Sequence, residues 1–280
     1  MNDRQTAYCI VEKLNGDKER LVRKLSQRVA DVAKAVGWKK VDVGADTDYM
    51  FVIGGDGTMT HAMKLASGYD NVPLVVGINI GKLGFLAEIC PDLIEEFVIS
   101  LVNGKCKRDE RVLIQGGELE GEDRFIAVNE FAIVPKYAKD MITYEYVIDG
   151  ASSGYHNANG LVLATPTGST AYSLSIGGAI LAPQLKAFQI VPIAPISLNS
   201  RSVVVSDQSN IKVSILAKKD VPYQLIADGQ VVLDDLTVPL DRLALEFSFL
   251  AAPDHVALIH KEEWNFFSVL QEKLHWNTKI

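Results

Sequence analysis

Apolar residues follow two regimes along the chain. Over the first hundred residues they switch between helical and strand-like spacing. From Asp17 to Lys34, the residues Leu21, Leu25, Val29 and Val32 recur at near-helical intervals with charges between them, which predicts an amphipathic helix. Residues 41–44 (VDVG) and 49–55 (YMFVIGG) are short β-prone runs. The second is continuous in apolar residues and is expected to be buried on both faces. Residues 57–67 suit a helix, and PLVVGIN at 73–79 suits another buried strand. Pro91 stands at a helix first turn, a helix over 92–102 follows, and Gly104 is its stop. Strands alternating with helices imply an α/β domain with a Rossmann-like parallel sheet covered on both faces.

After about residue 105 helical periodicity fades. RVLIQ, RFIAVNEFAIV, ITYEYVI, GLVLATP, SVVVS, KVSIL, YQLIA and QVVL read as strands. Asp149-Gly150 and Asp228-Gly229 lie between such runs and signal tight hairpins. The pattern predicts an all-β sandwich. From Glu262 the chain returns to helix, with Trp264, Phe267, Leu270 and Leu274 on one apolar face that needs a surface to cover. The expected organisation is an α/β nucleotide-binding domain over 1–104, an all-β domain over 105–258, and a helix over 259–280 that packs back on the first domain.

Composition narrows the class. The 280 residues are 48% apolar and 22% charged, ordinary for a soluble globular protein, and fit two domains. No apolar run reaches the ~20 residues of a membrane span, and MNDRQTAYCI lacks the order of a signal peptide. The scattered Cys9, Cys90 and Cys106 make neither a disulfide framework nor a metal pattern, so a cytoplasmic protein is expected. The net charge of −7 argues against nucleic acid as a partner. It leaves room for a polyanionic small ligand, because backbone dipoles and a cation hold phosphate locally.

The candidate chemistry begins at FVIGGDGTMTHAM, residues 51–63. In open α/β sheets ligands sit beyond the carboxyl ends of the strands. Gly54, Gly55 and Gly57 stand there, followed by Thr58 and a helix start whose unpaired N–H groups suit phosphate. The loop is neither a Walker A motif nor a G-x-G-x-x-G fingerprint. Asp56 is the anomaly, since a carboxylate repels phosphate. Two readings stand: a base that takes a proton from a hydroxyl attacking a phosphoryl group, or a turn Asp that bonds its own backbone.

The loop resembles the Gly-Gly-Asp-Gly signature shared by NAD kinases, diacylglycerol and sphingosine-type lipid kinases, and phosphofructokinases. Three further stretches resemble the NAD kinase family in particular. Gly77-Ile-Asn-Ile-Gly-Lys-Leu-Gly-Phe85 is similar to its Gly-x-Asn-x-Gly-x-Leu-Gly-Phe run. Asn129-Glu130 is similar to its Asn-Glu pair. Asn159 to Gly178, dense in hydroxyls and glycine, is similar to its longest signature, with Asn159 where Asp is usual and Ala164 where Ser is common.

The resemblance implies an enzyme that phosphorylates the adenosine-ribose 2′-hydroxyl of NAD, or of NADH, with ATP. Asp56 would be its general base and Mg²⁺ would be held through the phosphates. Gly54, Gly55, Gly57 and Thr58 would cradle phosphates and Phe85 would line the adenosine pocket. Asn129, Glu130, Asn159, Thr167, Thr170, Ala171, Tyr172, Ser175 and Asp228 would contact nucleotide. Polyphosphate is the other donor such families use, and a homodimer or homotetramer is implied. The open alternatives are a lipid or sugar kinase with the same loop, and an NAD(H)-binding sensor without turnover.

Overall fold

The structure is a computed structural model that describes residues 4–13, 18–44, 46–81, 83–216, 221–238 and 243–275. The chain divides into two compact units. The first is Met1–Arg111 with Asp254–Ile280, and the second is Val112–Pro253.

The sheet of the first unit runs in the order Lys39–Lys40, Ala7–Glu12, Tyr49–Gly54, Leu74–Asn79, Val256–Lys261, Cys106–Arg111. The first five strands are mutually parallel. Every residue from Met50 to Gly54 is buried, and neighbours along a strand point to opposite faces, so both faces are covered. Phe51, Ile53, Val76 and Ile78 pack with Val22, Leu25 and Val29 of helix Glu19–Ala35 and with Phe97 and Val98 of helix Ile94–Val102.

Several expectations shift. The sheet is not wholly parallel, because Cys106–Arg111 pairs antiparallel with Val256–Lys261. That strand is CKRDER, too charged to register as a strand, and it belongs with the first unit rather than the second. Ala7–Glu12 is a further strand, and it lies inside the sheet. Residues 41–44 form no strand; the short edge strand is Lys39–Lys40 instead. The last helix, Phe266–Leu274, starts at Asn265, whose side chain accepts the Phe267 amide. This later start buries Val269 and Leu270, while Phe267 and Leu274 stay exposed.

The second unit is a sandwich of two antiparallel six-stranded sheets. One holds Ala151–Ala158, Ile142–Ile148, Ile211–Leu216, Ala244–Ala251, Ile114–Glu118 and Phe125–Ala127. The other holds Val203–Ser206, Ala187–Ile193, Gly160–Ala164, Glu130–Pro135, Tyr223–Ala227 and Gln230–Leu236. Alternate residues of each sheet share one core, in which Tyr144, Val213 and Phe247 meet Leu163, Phe188 and Leu225. Phe131 and Phe249 face each other at 5.3 Å. Asp149-Gly150 and Asp228-Gly229 both carry positive φ, the geometry of the tight hairpins predicted there.

One strand expected as continuous, RFIAVNEFAIV, is two. Phe125–Ala127 belongs to one sheet and Glu130–Pro135 to the other. The chain changes sheets at Val128 and Asn129. Asn129 is therefore not a ladder residue facing away from Glu130, as a continuous strand would make it.

Candidate active site

In the first unit, the buried strand Tyr49–Gly54 delivers the chain to Gly55, which caps helix Asp56–Ala66 in an extended conformation. A Cβ on Gly54 would lie 2.4 Å from the Thr58 hydroxyl oxygen, so packing explains that glycine. Gly55 and Gly57 differ. Neither has left-handed φ, and a Cβ on either would meet nothing within 4 Å. The fold itself does not require glycine at these two exposed positions. They leave bare backbone where a ligand can approach closely.

Asp56 occupies the first helical position, where a carboxylate suits the positive end of the helix dipole. Its side chain turns to the loop after strand Leu74–Asn79. Oδ2 accepts the Phe85 amide at 2.9 Å and Oδ1 accepts the Leu86 amide at 3.0 Å. Gly84 makes the approach possible, since a Cβ there would lie 2.1 Å from Oδ1. The loop is fixed further on, where Ile89 exchanges backbone bonds with Gly77 and Asn79. A carboxylate offers about four lone-pair sites. Two are filled, which aims the group and leaves capacity for a hydroxyl. Phe85 is half-buried, with Lys273 Nζ 5.6 Å from its ring centre. Among the described residues no cluster of three or more His, Cys, Asp and Glu could hold a metal ion.

The second unit gathers another set of residues at the sheet change. The amides of Val128, Asn129 and Glu130 would be unpaired there, and the Asp228 carboxylate accepts all three at 2.9, 2.7 and 3.2 Å. Asp228 reaches them from its hairpin across about a hundred residues of sequence. The turn after strand Gly160–Ala164 closes the other side. Thr165 donates its amide to Asn129 and its hydroxyl to Val128. Gly168 lies against the Asn129 backbone. Ser169 bonds Pro166 and Leu181, Thr170 bonds the Thr167 carbonyl, and Ser173 accepts from the buried Gln189. The hydroxyl-rich stretch is thus largely self-satisfied. Tyr172 and Ser175, on the short helix Tyr172–Ser175, remain exposed. The sequence offered no signal for Gln189 or Thr165, because their roles depend on partners distant in the chain.

Glu130 is the electrostatic outlier. It is buried, and its Oε2 has no hydrogen-bond partner. Burial, then the Asp228 charge, pushes its carboxyl up to about 7, against a backbone hydrogen bond from Tyr172. Its folded-state value therefore exceeds its unfolded one. The native state holds the extra proton from about pH 4.5 to about 7, and stability falls as pH rises through that window. Glu130→Gln removes this slope. We expect its unfolding free energy to gain on that of the wild-type protein as pH rises from about 4.5 to about 7, by at most roughly 1.4 kcal/mol per pH unit. A constant difference across that range would refute the assignment.

Asn159 stands apart from this group. It precedes strand Gly160–Ala164, whose far end pairs with Glu130. Five residues of strand separate Asn159 from Ala164, roughly 16 Å. Thr167, Thr170, Ala171, Tyr172, Asn129, Glu130 and Asp228 come together, and Asn159 lies at the other end.

Comparison with known proteins gives these features a context. The family model of the ATP-NAD kinase N-terminal domain matches residues 10–106, and that of the C-terminal domain matches residues 128–239. The chain belongs to the NAD kinase family. It is 37% identical over 245 residues to an NAD kinase of Shewanella piezotolerans, covering 86% of this chain and 76% of that one. With an NAD kinase of Colwellia psychrerythraea it shares 34% over 255 residues, covering 89% and 84%. Yeast NADH kinase complexed with NADH has the same fold at a TM-score of 0.79 and 22% identity, over 100% of this chain and 90% of that one. An NAD kinase from Archaeoglobus fulgidus in complex with ATP superposes at a TM-score of 0.74 and 22% identity, over 95% and 98%. The chain thus has the NAD kinase fold, with its α/β domain and antiparallel β sandwich. Among the described residues no helix is long and apolar enough to cross a membrane.

Proposed function

We propose that this NAD kinase family member transfers the γ-phosphoryl group of ATP to the adenosine-ribose 2′-hydroxyl of NAD, giving NADP, with Asp56 as general base. The observation that carries the reading is Asp56 itself. It sits at a helix start beyond a buried parallel strand, aimed by two backbone amides. A turn Asp serving its own backbone would bond nearby amides, and this one reaches about thirty residues along the chain.

Gly54, Gly55, Gly57 and Thr58 cradle phosphate, and Phe85 borders the adenosine. Asn129, Glu130, Thr167, Thr170, Ala171, Tyr172 and Ser175 recognise the nucleotide. Ribose hydroxyls donating to Glu130 would supply the partner its Oε2 lacks. Asp228 shapes this surface by holding the Asn129 segment. Mg²⁺, held through the phosphates of ATP, would offset their charge. Polyphosphate is the alternative donor. We infer a cytoplasmic enzyme without a nucleic-acid or membrane partner. We also infer a homodimer or homotetramer. Exposed Tyr155, Ile196 and Leu198 on the second unit suit a subunit contact. A neighbouring copy would also let Asn159 serve a site other than that of its own chain.

A coupled assay tests the reading. Purified protein with Mg²⁺ is offered ATP or polyphosphate, and NAD or NADH, and NADP(H) is followed. Turnover is expected with ATP. Binding of NAD without turnover would instead mark a sensor. Asn159→Asp places a negative charge for the cationic nicotinamide ring, and we expect the ratio of kcat/KM for NAD over NADH to rise roughly two- to five-fold. An unchanged ratio removes Asn159 from the contact.

A further inference from the structure

Asp56 stands at one end of a chain of polar contacts within the first unit. Its oxygens hold the Phe85 and Leu86 amides. Two residues further on, Glu88 accepts the Lys261 amide at 2.7 Å and stands 3.2 Å from His260 Nδ1. The other ring nitrogen, Nε2, lies 3.4 Å from Asp109 Oδ2, and both contacts are electrostatic, since neither ring nitrogen meets hydrogen-bond geometry. Asp109 Oδ2 accepts from Arg111 Nε at 2.9 Å and Nη2 at 2.6 Å. The chain of contacts runs from Asp56 through the loop to Glu88, His260, Asp109 and Arg111.

The location of these groups is unusual. Asp109, Arg111 and His260 are all buried, on two paired strands of the sheet. His260 also stacks on Trp264 at 4.0 Å, and Lys107 lies over the outer face of that indole. Burial pushes the Arg111 guanidinium down, against the charges of Asp109 and then Asp56. Burial likewise works against the Asp109 carboxylate, yet His260 and Arg111 outweigh it and hold it below its usual range. A buried ion pair is weak support for stability, and apolar residues of similar volume commonly replace one at no loss. Packing alone therefore gives no reason for a charged set at this depth. Its two ends give one. Glu88 pins the loop that aims Asp56, and Arg111 anchors the far end of the chain of contacts through its two bonds to Asp109.

We propose that Arg111 and His260 are positioning residues for Asp56, and that the chain of contacts holds the Gly84–Glu88 loop and the Asp56 carboxylate in one geometry. This rests on Asp56 being the base, but it makes a separate claim about what holds Asp56 in place.

The test uses the full chain and two readouts. One is hydrogen exchange at the Phe85 and Leu86 amides without substrate, and the other is kcat and KM for NAD with ATP. The main variant is Arg111→Met with Asp109→Leu, which removes the buried ion pair together rather than one partner of it. We expect it to melt close to the wild-type protein. We expect exchange at Phe85 and Leu86 to quicken roughly ten-fold, with helix Glu19–Ala35 unaffected. We expect kcat to fall about ten-fold or more while KM stays within roughly three-fold. Arg111→Lys keeps the cation and loses the fork, and should recover part of kcat. If the double variant does not fold, His260→Gln carries the same two readouts. Unchanged exchange at both amides together with wild-type kcat would overturn the proposal. Wild-type protein without turnover would refute the kinase reading alone, because the exchange result still decides whether the chain of contacts positions Asp56.

Discussion

Asp56→Asn is expected to retain the fold and to lose most of kcat, about 10²–10⁴-fold, the range supplied by a positioned general base. The amide keeps one acceptor oxygen, so one of the two loop bonds survives. The other becomes an N–H facing an N–H, at the cost of a hydrogen bond worth roughly 0.5–1.5 kcal/mol. The protein should still melt cooperatively and bind NAD. KM should change less than kcat, because only part of the Phe85 contact moves with the loop. Steady-state assays at saturating ATP and Mg²⁺, with NAD binding measured calorimetrically, separate the two effects. Turnover near the wild-type level would leave Asp56 as a loop latch and remove it from the chemistry.

Gly168→Ala is expected to be the most damaging single methyl in the second unit. Its Cβ would stand 2.1 Å from the Asn129 carbonyl oxygen, 2.5 Å from its carbon and 2.8 Å from its Cα. All three are backbone atoms, so no rotamer relieves the clash. Asn129 cannot retreat easily. Its amide is bound by Asp228, and its carbonyl takes the Thr165 amide. Overpacking of this kind costs about 3 kcal/mol, which lowers a melting midpoint by roughly 6–12 °C. NAD binding should weaken as well, because the displaced segment carries Asn129 and Glu130. Gly55→Ala is the control for stability, since a Cβ there meets nothing within 4 Å. Equal melting of the two variants would contradict the packing described here.

The sequence was legible where a local rule decides. The continuous apolar run before Gly54, the Pro91 helix start and the two Asp-Gly hairpins each follow from neighbours a few residues apart. It was least legible where distant partners decide. Cys106–Arg111 is a strand only because Val256–Lys261 lies beside it, and its Asp109 and Arg111 bond to each other. Ala7–Glu12 is a short run whose place in the sheet depends on strands thirty and more residues away. The break at Asn129 is unreadable locally, because the group that satisfies it is Asp228. For the site, the glycine loop and Asp56 stood out from residue type alone. The amides that aim Asp56 did not, since a backbone donor leaves no trace in residue type.

The position of Val256–Lys261 between Leu74–Asn79 and Cys106–Arg111 bears on how the protein is made. A ribosome releases Leu74–Asn79 long before the strand that covers its edge. Until some 180 further residues have been synthesised, that strand presents a flat apolar border, open to pairing with other chains. The α/β half begins first and finishes last, after the whole β sandwich has had time to form. Nascent chains stalled short of residue 256 should therefore need chaperone cover, while the sandwich on the same chain folds unaided.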